Sequence, residues 1–136
     1  MTLPLLKNEC EHLLERLTRF HKALLDFQMR QAQAMDGRRY GPYEALNLLL
    51  QDKRFLWLRT LSQLIAGIEE RLADDAKNKS KLDLRALLKD VNGLFNGQLK
   101  QFAAGYQAAL TLDPQLAIEE VEVKKAASAL TPFVGG

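Results

Sequence analysis

The chain is 136 residues long, 47% apolar and 26% charged, with a formal net charge of +2. Those proportions describe one ordinary globular domain and exclude disordered, collagen-like and low-complexity chains. A single cysteine, Cys10, excludes a disulfide framework and a zinc site built on thiolates.

The first predicted helix is the clearest. Leu6, Cys10, Leu13, Leu17, Phe20, Leu24, Phe27, Gln31 and Ala34 alternate in spacings of four and three, an unbroken heptad seam. Leu14, His21, Gln28 and Met35 form a second row that widens the stripe, which suits a bundle helix. Pro4 fits the first turn, Gly37 is a natural stop, and the segment from Arg38 to Pro42 reads as a connection. About 32 residues at ~1.5 Å each make a rod of roughly 48 Å.

Pro42 opens the second helical region, whose pattern has a fault. With Leu61 as reference, Trp57, Leu58, Leu64, Ile65, Ile68 and Leu72 fall on one face, within about 60°. Leu48, Leu49, Phe55 and Leu56 fall far from it. The spacing predicts a break near Asp52, a good N-cap for a new helix at Lys53, or else a partner over the off-face residues.

The polar run from Asp74 to Lys81 reads as the next connection, with Ser80-x-x-Asp83 resembling a capping box. A third helix then runs to about Thr111. Leu84, Leu87, Leu88, Val91, Leu94, Phe95, Gln98, Phe102, Tyr106 and Ala109 share its inner face. Ala86, Gly93, Gly97, Ala104 and Ala108 make a small-residue flank that would admit a close helix neighbour. Asp113-Pro114 opens a short fourth helix ending near Ser128, with Ile118, Val121 and Lys125 as a poor stripe.

The expected product is an all-α, up-down antiparallel four-helix bundle with a second helix broken or kinked near Asp52 and a short fourth helix. It forms a single domain over residues 1–130, with a loose C-terminal tail at 131–136.

The residues offer little catalytic chemistry. Glu9-x-x-His12 is one half of a di-metal signature whose other half is missing. Cys10 lies on the seam, and His12 and His21 face different ways. No nucleophile elbow or phosphate-cradling glycine loop is present. No enzyme activity, cofactor or metal is therefore expected. The first residues carry no basic segment leading into an apolar run, so no secretory leader is expected. The longest apolar-rich stretch, Phe55 to Ile68, is interrupted by Arg59, Thr60, Ser62 and Gln63, so no membrane span is expected either. With a lone thiol, this reads as cytoplasmic.

Three non-catalytic roles remain. The first is a protein-interaction or regulatory module, dimeric or bound to a foreign partner, through Leu48, Leu49, Phe55, Leu56, Gly93, Gly97 and Ala104. The second is a small-ligand-binding bundle with polar core layers built from His21, Gln28, Gln31, Gln98 and Tyr106, pairing His21 with Gln98 and Gln28 with Tyr106. The third is weak nucleic-acid binding by a basic patch of Arg38, Arg39, Lys53, Arg54 and Arg59, although a net charge of +2 is a small field for that role. The first is the leading expectation.

Overall fold

The computed structural model describes residues 4–134. Residues 1–3 and the tail residues Gly135 and Gly136 lie outside the described residues. The chain is all-α, and no strand occurs among the described residues. The described residues form six α-helices in order: α1 Pro4–Asp36, α2 Pro42–Gln51, α3 Arg59–Ala76, α4 Leu84–Gly93, α5 Lys100–Leu112 and α6 Ala117–Ser128. Three 3-10 turns, Lys53–Leu58, Pro114–Leu116 and Thr131–Phe133, link or follow them. Among the described residues, no helix is long and apolar enough to cross a membrane.

α1 is the spine. Its seam residues Cys10, Leu13, Leu17, Phe20, Leu24 and Phe27 are all buried. Beyond Phe27 the buried side rotates, because Ala32 is buried while Gln31 is half-buried and Ala34 exposed. The reason is the neighbour: the Lys53–Leu58 turn packs on the flank of α1 that carries His21, Leu25 and Gln28.

The break expected near Asp52 is present. Asp52 does two jobs there: its N–H donates to the Leu48 carbonyl and ends α2. Its side chain accepts from the Arg54 N–H at 2.8 Å and starts the 3-10 turn. That turn drives Phe55, Trp57 and Leu58 into the core while Leu56 stays at the surface.

The third predicted helix is two helices, which corrects the expected count of four. α4 stops at Gly93, and α5 starts only at Lys100. Gly97 has a φ of +81°, a conformation that favours glycine. The Asn96 side chain accepts from the Gln98 N–H at 2.9 Å, the local bond that lets asparagine compete with a helix. The start also differs: Asp83 itself is the N-cap, accepting from the Ala86 N–H at 3.0 Å.

α6 ends at Ser128, where the sequence places its end, and it is the most extensive neighbour of α1. Its buried face is Val123, Ala126 and Ala127, continued by Leu130, a stripe at i, i+3, i+4 and i+7. The predicted stripe is the opposite side, where Ile118 and Val121 are exposed. Alanines register weakly as hydrophobic, yet they let two helix backbones come close. The segment expected as a tail begins with the Thr131–Phe133 turn, and Phe133 and Val134 pack on the core.

An aromatic cluster fills the centre. Phe20 meets Phe95, Phe102 and Tyr106 with ring centroids 5.6, 6.3 and 5.2 Å apart. Trp57 meets Phe102 at 5.7 Å. The Trp57 indole also packs against α5 at Gly105, where an added Cβ would sit 2.3 Å from the ring. Gly105 is thus the glycine that the packing demands, whereas the sequence pattern singles out Gly93 and Gly97.

Candidate functional site

α2 is the anomaly of this fold. Its sequence, PYEALNLLLQ, carries four leucines, yet no residue of it is buried. Pro42 fits its first turn, and the Gly41 N–H donates to the Glu44 carboxylate. Leu48 and Leu49 turn inward and pack, half-buried, against the core. Tyr43, Leu46 and Leu50 turn outward and are 87%, 53% and 58% exposed. These three stand at i, i+3 and i+7, one line on the outer surface of the helix.

A polar knot fixes α2 in place. The Arg54 guanidinium donates to Asp36 at 3.1 and 3.2 Å and to Asp52 at 2.9 Å. The Tyr40 hydroxyl donates to Asp36. The knot ties the end of α1 to the turns on both sides of α2. Hydrogen bonds from Arg54 hold the Asp36 and Asp52 carboxyls below the usual carboxylate range, and they raise the Arg54 guanidinium in return. Arg38 pairs with Glu44, lowering that carboxyl, and stacks over the Tyr40 ring. Arg59 donates to the Leu50 carbonyl.

These contacts redraw the expected basic patch. Arg38 and Arg54 are neutralised by carboxylates and Arg59 holds a backbone carbonyl, whereas Arg39 and Lys53 are exposed. The cations serve mainly to build the corner.

The proposed interaction surface changes as well. Phe55 is 2% exposed, so it is a core residue and not a contact residue. It reaches the core because the 3-10 turn rotates it there. Leu48 and Leu49 are half-buried and Leu56 is at the edge of exposure. Gly93 is buried at the end of α4, Gly97 lies in the turn, and Ala104 is exposed on α5. The break at residues 94–99 separates them, so no continuous small-residue flank exists.

The polar core layers do not form either. Among the described residues, no polar or charged residue is fully buried. His21 sits half-buried beside Leu25, Phe55 and Leu58, with Arg59 on the same small hollow, and burial lowers its pKa. Gln28 accepts from the Trp57 indole N–H at 3.0 Å. Gln31 is half-buried and Gln98 is exposed. The Tyr106 hydroxyl donates to Glu120 at 2.6 Å, and burial, with that bond, raises its pKa. Both expected pairings rested on a continuous third helix, and the α4–α5 turn places Gln98 outside.

Cys10 is buried in the core, and burial, followed by the charges of Asp75, Glu9 and Glu11, pushes its thiol up to about 11. A thiol so held is protonated at neutral pH and a poor nucleophile. Among the described residues, no three His, Cys, Asp or Glu side chains converge as a metal site would require.

Comparison with family models, with curated proteins and with solved structures finds no match to this chain. Its own surface therefore carries the functional reading.

Proposed function

We propose that this chain is a non-enzymatic, cytoplasmic interaction module that presents α2 to a partner protein. The observation that carries the reading is the outer line of Tyr43, Leu46 and Leu50 on a helix with no buried residue. Anchors at i, i+3 and i+7 are how an amphipathic helix fills an apolar groove. A corner locked by Arg54 presents that helix already formed, which lowers the ordering cost of binding.

The favoured occupant is a foreign protein with an apolar groove and an acidic rim. Arg38, Arg39, Lys53 and Arg54 flank α2 in the chain against Asp36, Glu44 and Asp52, a small excess of positive charge carried by the exposed Arg39 and Lys53. Two copies paired through α2 would bring these cations together.

The test compares the wild-type chain with Leu46→Ser/Leu50→Ser in affinity capture and in sedimentation. Both leucines are exposed, so the melting temperature should hold. A stoichiometric partner bound by the wild type and lost by the variant is the expected result. A partner retained by the variant, or no partner at all, overturns the reading. Dimerisation that the variant abolishes would replace the foreign partner with a second copy.

A further inference from the structure

The groove between α3 and α4 lies on different residues from the α2 face. Its volume is about 320 Å³, near the lower end of small-molecule pockets. Gly67, Arg71, Lys89 and Asp90 line it, with Leu64 and Leu99 as apolar walls.

Gly67 is informative. It lies in the interior of α3, where glycine costs about 1 kcal/mol relative to alanine. A Cβ added there would meet nothing within 4 Å. Packing inside the chain therefore does not require glycine at this position, in contrast to Gly105. What glycine does is leave the groove open to the helix backbone.

The charges name the chemistry. Arg71 Nη2 donates to Asp90 at 2.6 Å, but Arg71 Nη1 is buried without an acceptor. That atom has no accessible surface, so a molecule in the groove would meet the rest of the Arg71 side chain, which is 39% exposed. Lys89 supplies a second cation, so the two cations exceed the single Asp90 carboxylate. We propose that this groove binds a small organic acid, its oxyanion taken by Arg71 and Lys89 and its short apolar body seated between Leu64 and Leu99.

The test is an NMR titration of isotope-labelled full chain with butyrate, using butyramide and inorganic phosphate as comparisons. Saturable shifts centred on Gly67 and Lys89 with butyrate alone, or more tightly with butyrate than with phosphate, are expected. Gly67→Leu should abolish them by filling the groove. Lys89→Gln should weaken binding about tenfold, the loss of one charge-assisted contact. Should Gly67→Leu fail to fold, Lys89→Gln, a surface change, still decides. No saturation, equal shifts with butyramide, a response to phosphate alone, or butyrate binding that either folded variant leaves unchanged would each overturn the proposal.

Discussion

At the scale of single residues, Gly67 and Gly105 show how identical letters carry opposite meanings. Both lie inside helices, and neither has a left-handed φ. An added Cβ at Gly105 would collide with the buried Trp57 ring, while at Gly67 it would touch nothing. Trp57 cannot easily retreat, since it packs on Phe102 and donates to Gln28. Gly105→Ala should therefore destabilise the protein by about 2 kcal/mol through overpacking, despite alanine's better helix propensity. Gly67→Ala should stabilise it by about 0.5–1 kcal/mol. Denaturant melts of the two variants should move in opposite directions. Equal shifts would show that Trp57 does not rest on α5 as described.

At the scale of elements, the α4–α5 break and the buried face of α6 escape the sequence pattern for different reasons. The α4–α5 break is encoded locally, in Asn96 and Gly97, a pair that turns readily. It was hidden because the inner-face positions on both sides happen to fit one helical period. The buried face of α6 is hidden by its alanines, which carry little hydrophobic signal but allow a close approach to α1. That approach has a consequence. Ala126 is 2% exposed, so Ala126→Leu should force the helices apart and cost about 1–3 kcal/mol. Val121→Ala, on the exposed side of the same helix, should change stability by less than about 0.5 kcal/mol. Thermal melts of both variants check the assignment of faces.

At the scale of the whole molecule, acid should loosen the fold in two stages. His21 is held neutral by burial, and its folded pKa is lowered. The unfolded chain then binds the proton more readily, so stability rises with pH across that titration. This contribution is complete above the unfolded value of about 6.5 and is lost as pH falls through the lower folded value. The second stage belongs to Asp36, Glu44 and Asp52, whose carboxyls are lowered by Arg54 and Arg38. Their contribution is present above the ordinary carboxylate range of about 4 and disappears as pH falls through their lower folded values. Denaturant midpoints measured across pH should show both steps. His21→Leu, surrounded by Leu25, Leu49 and Phe55, should remove the first step alone, and Arg54→Met should flatten the second.

The sequence by itself determined the helical class, the α1 seam from Cys10 to Phe27 and the break at Asp52. Each depends on local chemistry: apolar spacing, a capping carboxylate and a proline in a first turn. The outward line of α2 was half legible, since the surplus of leucines was plain but which ones stay outside was not. Phe55, counted among the exposed, goes in, while Tyr43, Leu46 and Leu50 stay out. That choice depends on how far the 3-10 turn rotates the chain and on which flank of α1 receives it. Only the tertiary structure decided these matters, along with the need for glycine opposite Trp57 and the open floor at Gly67. They are relations between side chains distant in sequence, and periodicity along one helix carries no record of what the next helix brings against it.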